Sequence, residues 1–193
     1  MNQDDSNLGR RRFLLVSMAG IGGVGMVGAA VPFVAAWNPS ERAKALGGPT
    51  SIDIGKLEVG RLVVDAWRGS PVYVVKRSPE MIAALSEEAV KKLLKDPELK
   101  DTAQQPDFAN NDYRSLNPEL LVLVGVCTHL GCAPKLRAEP EADMYGYGGF
   151  YCPCHGSKFD LAGRVYKSSP AGKNLLVPPY VVEGSKLIIG VEA

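Results

Sequence analysis

The chain contains four cysteines and two histidines, and all six lie in two short segments. Residues 127–132 read CTHLGC, and residues 152–157 read CPCHGS. Thiolate and imidazole groups are good ligands for transition metals. Both segments follow apolar, strand-like runs, so we expect each to form a loop at the end of a strand. The sequence therefore predicts a metal site built from two loops.

The spacing of these residues leaves more than one kind of metal site open. Two Cys-x2-Cys knuckles would predict a zinc ribbon, and four thiolates would predict zinc or a plant-type cluster, but neither pattern is present. The pattern is Cys-x-His followed by Cys-x2-His, with one additional cysteine in each segment. A Cys2His2 zinc site is chemically possible, but it leaves Cys132 and Cys154 without a role. In an exported protein, such a pair of thiols is most simply a disulfide.

The N-terminal region predicts a membrane anchor. Residues 1–12 are polar and end in three arginines, and residues 13–37 contain no charged side chain. At about 1.5 Å per residue, such a helix is longer than the roughly 30 Å hydrocarbon core of a bilayer. Arg10 to Leu14 resembles the twin-arginine export signal, but the apolar run is longer than that of a cleaved signal peptide. We therefore expect a retained single span, a cytoplasmic N-terminus and a periplasmic head domain in a bacterial inner membrane.

The rest of the chain predicts a tether followed by a head that is mainly β. Residues 38–50 are polar, contain Gly47, Gly48 and Pro49, and read as a flexible hinge. Residues 51–193 alternate short apolar runs with turn residues. The predicted strands are residues 61–67, 71–76 and 120–126, with a hairpin formed by 180–183 and 186–191. Residues 78–95 have helical spacing, so the fold expected is an antiparallel β head with one inserted helix after an N-terminal transmembrane helix.

At this point the sequence resembles a family. The two segments are similar to the cluster-binding boxes of Rieske iron–sulfur proteins. Together with the anchor and the additional cysteine in each box, they resemble the Rieske subunits of bacterial cytochrome bc1 complexes, the ubiquinol–cytochrome c reductases. The resemblance extends over nearly the whole chain, including LLVPPY at residues 175–180. It implies one [2Fe–2S] cluster bound by loops 127–134 and 152–159, beside a proline-containing loop at 168–172.

The resemblance also implies a ligand set. Cys127 and Cys152 would bind one iron of the cluster, and His129 and His155 would bind the other. Neutral imidazoles in place of two thiolates remove negative charge, which is why such centres have potentials of about −150 to +300 mV rather than about −400 mV. His155 would also be the catalytic residue, because it would face the quinol and accept a proton with the electron.

Four further residues receive a role from the resemblance. Cys132 and Cys154 would form a disulfide between the two loops. The Ser157 hydroxyl would donate a hydrogen bond to a sulfur of the cluster and raise its potential. Leu130 would shield the cluster next to the quinone site.

Three features depart from the family pattern. Family members often carry tyrosine two residues after the serine, where this chain has Phe159. They also commonly carry Gly-Pro-Ala-Pro in the third loop, where residues 169–172 read SPAG, which puts the rigidity of that loop in doubt. Residues 145–149 read YGYGG, in a connection between the boxes that is longer than in many members, and we expect a mobile surface excursion there.

Composition and resemblance together define the expected partners. With 22 basic and 21 acidic residues the net charge is +1, so no nucleic acid is expected to bind. The resemblance implies cytochrome b, cytochrome c1, a quinol such as ubiquinol, membrane lipid and a dimeric complex. The alternatives are the Rieske subunit of another exported oxidoreductase of the arsenite oxidase type, a soluble Rieske ferredoxin and a structural zinc protein. The retained anchor argues against another exported oxidoreductase. The export signal and the additional cysteines argue against a soluble ferredoxin, and the cysteine pair without a role argues against a zinc protein.

Overall fold

The computed structural model describes residues 3–40, 43–44 and 47–191. The chain divides into two compact units, one ending at residue 45 and the other beginning at residue 46. Residues 41, 42, 45 and 46 of the predicted hinge lie outside the described residues.

The first unit contains one long helix, α1 (Gln3–Ala35), of 33 residues. Its segment Asn7–Ala35 has a mean hydropathy of 2.0 and is long and apolar enough to cross a membrane. None of its apolar window is buried within the structure, which is unlike a core helix of a soluble protein. The helix begins ten residues before the apolar run that the sequence defines, because the polar residues that precede the run continue the same helical backbone. The predicted apolar N-terminal helix is therefore present, and it could span a membrane.

The second unit contains three antiparallel sheets of three strands each, in the part of the chain that the structure describes. The first has the order β1-β9-β8, the second β2-β3-β4 and the third β5-β6-β7. The strands are β1 (Thr50–Asp53), β2 (Leu62–Trp67), β3 (Ser70–Lys76), β4 (Leu120–Val124), β5 (Lys135–Glu141), β6 (Tyr147–Tyr151), β7 (Lys158–Phe159), β8 (Tyr180–Glu183) and β9 (Lys186–Ile189). The antiparallel β head that the sequence predicts is confirmed.

The central strands β3 and β4 form the core beneath the boxes. β4 reads LLVLV and is buried along its whole length, and Val74 pairs with Val122 across the two strands. Such continuous apolar runs are typical of strands covered on both faces. One core cluster contains these strands and also the buried side chains of Cys127 and Cys152. The first and second boxes are thus built on the best-packed part of the domain.

The single inserted helix that the sequence predicts is present as two short helices, α2 (Pro79–Leu85) and α3 (Glu88–Leu93). Ser78 caps α2, since its side chain accepts a hydrogen bond from the Met81 N–H. The break occurs because the Ser86 N–H bonds to Ala83 in a tightened last turn and Glu87 is extended, with φ −63° and ψ 131°. The apolar spacing continues across this break, so the pattern alone could not reveal it.

The connection between the boxes is a packed hairpin of β5 and β6. Gly148 and Gly149 are buried, and a Cβ on Gly149 would lie 2.1 Å from the Phe159 carbonyl oxygen. Tyr147 donates a hydrogen bond to the Glu87 carboxylate at 2.8 Å. Tyr145 and Gly146 are exposed in the turn before β6, but the expectation of a surface excursion is wrong for Gly148 and Gly149, because these glycines permit close strand contact rather than loop freedom.

Candidate metal centre

The first box is a loop that begins three residues after β4. The Cys127 N–H donates to the Cys132 carbonyl at 2.8 Å, and the Gly131 N–H donates to the Cys127 carbonyl at 2.9 Å. Gly131 has φ 84°, which glycine adopts without the steric cost that other residues carry. Tyr73 holds the end of the loop by donating to the Pro134 carbonyl at 2.9 Å. The loop is thus closed by its own backbone and fixed from the core.

The second box is closed in the same way. It follows β6 directly and ends in β7. The Cys152 N–H donates to the Ser157 carbonyl at 2.8 Å, and the Gly156 N–H donates to the Cys152 carbonyl at 3.0 Å. Gly156 has φ 74°. The first cysteine of each box therefore lies in a loop that is closed by the same pair of backbone hydrogen bonds.

Two of the four cysteines are free thiols, and both are buried. Cys127 and Cys152 are each 2% exposed and belong to the same core cluster. Burial raises the pKa of the Cys152 thiol, and the neighbouring Cys127 raises it further. A bound metal ion reverses this effect because it stabilises thiolate directly. The pair suits a metal centre that is enclosed on its thiolate side.

The two imidazoles also lie side by side. The ring centroids of His129 and His155 are 4.8 Å apart and the rings are nearly perpendicular, at 87°. His155 is exposed and His129 is half-buried. The Nδ1 atom of His129 is buried and has no hydrogen-bond partner among the residues that the structure describes. Since buried polar atoms almost always have a partner, this atom fits a metal ligand.

Cys132 and Cys154 are joined by a disulfide, with their Cα atoms 6.6 Å apart. The sulfur atoms of Cys132, Cys152 and Cys154 lie within 4.8 Å of one another. The bond therefore links the two boxes immediately beside one of the two free thiols. The disulfide that the resemblance implies is present in the structure.

Ser157 is buried and contacts the third loop. Its Oγ accepts a hydrogen bond from the Ala171 N–H at 3.1 Å. A hydroxyl has one proton and two lone pairs, so this contact leaves the Ser157 proton able to donate elsewhere. Leu130, by contrast, is 70% exposed, and Phe159 is fully buried in the core cluster that contains Cys127 and Cys152.

The third loop, residues 168–172, is held by several contacts. Ser169 Oγ accepts from the Lys158 N–H at 2.8 Å and donates to the Lys158 carbonyl at 2.9 Å. Lys95 Nζ donates to the carbonyls of Ser169 and Ala171 at 2.7 and 2.6 Å. These contacts restrain the loop although it has only one proline. Sequence reasoning missed Lys95, because a charged residue after a helix gives no local signal of a contact so distant in the chain.

A buried ion pair lies directly after the second box. Arg164 Nε donates to Asp160 Oδ2 at 2.6 Å, and both side chains are almost fully buried. Asp160 Oδ1 also accepts from the N–H groups of Ala162 and Arg164 at 2.9 and 2.8 Å. The carboxylate thus closes the turn at residues 160–164 that leads from the second box towards the third loop.

Two more buried guanidinium groups bind the carbonyls of the same turn. Arg77 donates to the Leu161 carbonyl at 3.1 Å, and Arg114 donates to the Ala162 carbonyl at 3.0 Å. Burial lowers the pKa of each arginine to about 10, so both remain charged at neutral pH. Sequence reasoning missed this group, since arginines are rarely fully buried and their partners are far apart in the chain.

The residues brought together match the donor set of one kind of centre. Two buried thiols and two neighbouring imidazoles, one with an unpartnered Nδ1, fit a [2Fe–2S] cluster with two cysteine and two histidine ligands. The disulfide accounts for the remaining two cysteines. The site therefore fits a Rieske-type cluster.

Two family models match the chain. Residues 1–40 match the model described as the TAT signal of the ubiquinol–cytochrome c reductase Fe-S subunit. Residues 96–180 match the Rieske [2Fe-2S] domain. The matched regions include the three arginines at residues 10–12 and all three loops at the site.

Curated relatives match over nearly the full length. The chain is 50% identical to the ubiquinol–cytochrome c reductase iron-sulfur subunit of Allochromatium vinosum, over 98% of this chain and 92% of the relative. It is 37% identical to the mitochondrial cytochrome b-c1 complex subunit Rieske of Schizosaccharomyces pombe, over 93% of this chain and 72% of the relative. Among solved structures, a chain of a hyperthermophilic respiratory Complex III has 28% identity and a TM-score of 0.47, covering 89% of this chain and 97% of that chain.

Proposed function

The chain belongs to the family of Rieske iron–sulfur subunits of ubiquinol–cytochrome c reductase, and from this premise we propose how its residues serve the reaction. It is an electron-transfer subunit of the cytochrome bc1 complex and carries a Rieske [2Fe–2S] cluster. It is anchored in the membrane of a bacterial respiratory system after export.

The proposed ligands are Cys127 and Cys152 at one iron and His129 and His155 at the other. The observation that carries this assignment is the buried, unpartnered Nδ1 of His129, beside the His155 ring and close to two buried thiols. A cluster held by these four residues would supply one-electron transfer, accepting an electron and passing it to the next carrier. The ligands lie on loops whose backbones are already closed by hydrogen bonds, so binding requires little rearrangement.

The histidines supply the proton chemistry. If each histidine binds iron through Nδ1, its Nε2 is left to exchange a proton, and His155 is the more exposed of the two. We therefore assign His155 Nε2 as the group that accepts a hydrogen bond and then a proton from the quinol. Loss of an electron from quinol increases its acidity, so electron and proton leave it together.

Leu130 defines the surface through which the site meets its partner. It is 70% exposed beside His129, where an apolar side chain gains nothing from contact with water. We propose that it packs against cytochrome b and excludes water from the hydrogen bond between quinol and His155. Exclusion of water strengthens that hydrogen bond and blocks loss of the proton to solvent.

The remaining proposals concern assembly. We assign residues 1–12 to the cytoplasm, 13–37 to the membrane, 38–50 to a hinge and 51–193 to the periplasmic head, in a dimeric complex with cytochrome b and cytochrome c1. The three arginines that precede the apolar run support this orientation. The hinge would let the head accept an electron at cytochrome b and deliver it to cytochrome c1.

The test uses the full chain with an affinity tag, expressed in a bacterium that lacks its own copy of this subunit. We expect copurification of b- and c-type haem, a Rieske-type electron paramagnetic resonance (EPR) signal and ubiquinol–cytochrome c reductase turnover. His155→Ala should abolish the signal and turnover, while Lys186→Ala on the β8–β9 hairpin should preserve both. Copurification without haem would contradict the assignment to this complex and favour another exported oxidoreductase.

A further inference from the structure

Lys95 lies outside the three loops of the metal site, and its side chain contacts the third loop. It lies two residues after α3, and its ammonium group donates to the carbonyls of Ser169 and Ala171 at 2.7 and 2.6 Å. Both contacts are charge-assisted, which makes them stronger than hydrogen bonds between neutral groups. A single side chain thus binds two carbonyls of the third loop.

The peptide between these carbonyls is the one that contacts Ser157. The Ala171 N–H, in the peptide that joins it to Pro170, donates to Ser157 Oγ at 3.1 Å. Lys95 binds the carbonyl that precedes this peptide and the carbonyl that follows it. The direction of the Ala171 N–H is therefore fixed from both sides.

The contact determines what the Ser157 hydroxyl can do. Ser157 is fully buried, and the Ala171 N–H occupies one of its two lone pairs. Its proton has no acceptor in the part of the chain that the structure describes, and the Ser157 carbonyl accepts from the Cys152 N–H at 2.8 Å, which keeps the residue beside the second box. A fixed N–H on one side of the oxygen directs the hydroxyl proton to the other side.

We propose that Lys95 is a positioning residue that sets the reduction potential of the cluster by orienting the Ser157 hydroxyl through the Ala171 peptide. The proposal rests on the proposed function, since it needs a cluster that accepts the Ser157 hydrogen bond. A fixed donor stabilises the reduced cluster more than the oxidised one, because reduction adds negative charge to the sulfurs. At the end of the loop Gly172 has no neighbour within 4 Å of a Cβ and lacks the restraint of a proline, so the contact from Lys95 adds a restraint that this position does not supply.

The first experiment measures the midpoint potential of the cluster in the membrane-bound complex, by redox titration followed by EPR. Lys95→Met keeps the length of the side chain but removes its donors. It should lower the equilibrium constant for reduction of the cluster about threefold. At about 59 mV per tenfold change in a one-electron equilibrium, that is a decrease of about 28 mV. Lys95→Arg can still donate to both carbonyls and should restore the potential of the unmodified protein.

The matched control is Lys167→Met. Lys167 directly precedes the third loop, but its ammonium group donates to the Lys92 carbonyl at 2.7 Å and not to the carbonyls of Ser169 and Ala171 that Lys95 binds. The control removes the same charge without loosening the Ala171 peptide, so its potential should stay close to that of the unmodified protein. Equal decreases for Lys95→Met and Lys167→Met would overturn the proposal, because loss of surface charge alone would explain them.

The second experiment combines Lys95→Met with Ser157→Ala. If Lys95 acts through Ser157, the Lys95→Met substitution should change the potential little once the hydroxyl is absent, and the two effects should not add. Fully additive decreases would overturn the proposal.

Hydrogen exchange of the full chain supplies a readout without turnover. Lys95→Met should speed exchange of the Ala171 amide, and unchanged exchange would also overturn the proposal. Absence of a Rieske signal in the unmodified protein would instead contradict the proposed function.

Discussion

Gly131 and Gly156 occupy the same position in the two boxes. Each donates its N–H to the carbonyl of the cysteine four residues earlier, at 2.9 and 3.0 Å, and each has a positive φ, 84° and 74°. Both hydrogen bonds turn the chain back on itself around a candidate cysteine ligand. The two glycines thus give both halves of the site the same backbone frame, although the histidine lies two residues after the cysteine in one box and three in the other.

Substitution of either glycine should weaken the metal site through the backbone alone. Gly131→Ala places a Cβ in open space, with nothing within 4 Å, so steric contact with neighbours does not contribute. The left-handed conformation costs a non-glycine residue about 1–2 kcal/mol. We expect lower cluster content in membranes, measured by EPR against the amount of the chain on an immunoblot.

The matched control for this prediction is Gly172→Ala. Gly172 also has no neighbour within 4 Å of a Cβ, but its φ is outside the positive range. Cluster content should therefore stay near that of the unmodified protein. Equal losses for Gly131→Ala and Gly172→Ala would show that added bulk, rather than backbone strain, is responsible.

Loss of the disulfide should weaken the link between the two boxes. Cys132→Ser leaves all four proposed ligands in place but opens a loop with a sequence separation of 22, whose closure is worth about 3 kcal/mol in the chain-entropy model. We expect the cluster to be lost at lower temperature and its reduction potential to fall, because the two boxes are no longer joined beside the proposed ligands.

Cys154→Ser and the double variant complete this test. If the bond is the relevant feature, both single variants and the double variant should have the same effect on cluster loss and potential. A double variant that is much worse than either single variant would indicate separate roles for the two thiols.

The buried pair of Asp160 and Arg164 should stabilise the head domain. Asp160→Asn removes the carboxylate at 2.6 Å from the buried Arg164 guanidinium and leaves it with Asp112 at 3.7 Å. Breaking a buried pair costs about 3–5 kcal/mol. We expect a clear decrease in the apparent Tm of the full-length protein in detergent. Glu58→Gln is the control, because its pair with Arg61 is 75% exposed on both sides and should change the Tm very little.

The sequence predicted the parts of this molecule whose interactions are local. Strands such as β3 and β4 are continuous apolar runs, and the boxes carry their ligands within a few residues. The apolar N-terminal helix is equally local, since an uncharged stretch needs no partner to be recognised. For such elements, residue type and spacing already express the physical requirement.

What the sequence could not predict depends on contacts between distant segments. Lys95 reaches carbonyls more than 70 positions away, and Arg77 bonds to Leu161 across a similar separation. Both residues are charged, so composition alone assigns them to the surface. The glycines at 148 and 149 were misread for the related reason that close strand contact and loop freedom both select glycine.

Phe159 offers a test of how the second box is aligned with its family. The ring is fully buried, in the same core cluster as Cys127 and Cys152, and its strand β7 pairs with β6 at Phe150. A phenyl ring fills the space of a phenol but cannot donate a hydrogen bond. The chain therefore lacks a donor that family members with tyrosine at this position direct towards a cysteine ligand, which here would be Cys127.

Phe159→Tyr should therefore raise the midpoint potential of the cluster. If the new hydroxyl reaches a ligand sulfur, and the bond is stronger in the reduced state by about 1 kcal/mol, the potential rises by about 40 mV, given about 59 mV per tenfold change in a one-electron equilibrium. Ser157→Ala should lower the potential by a similar or larger amount, because it removes a donor that is already in place. Phe108→Tyr is the control, since Phe108 packs edge-on against Tyr180, with ring centroids 5.0 Å apart, and should leave the potential unchanged. An unchanged or lower potential for Phe159→Tyr, measured by EPR-monitored titration of the membrane-bound protein, would mean that the ring does not point at the cluster and that the family alignment fails beyond Ser157.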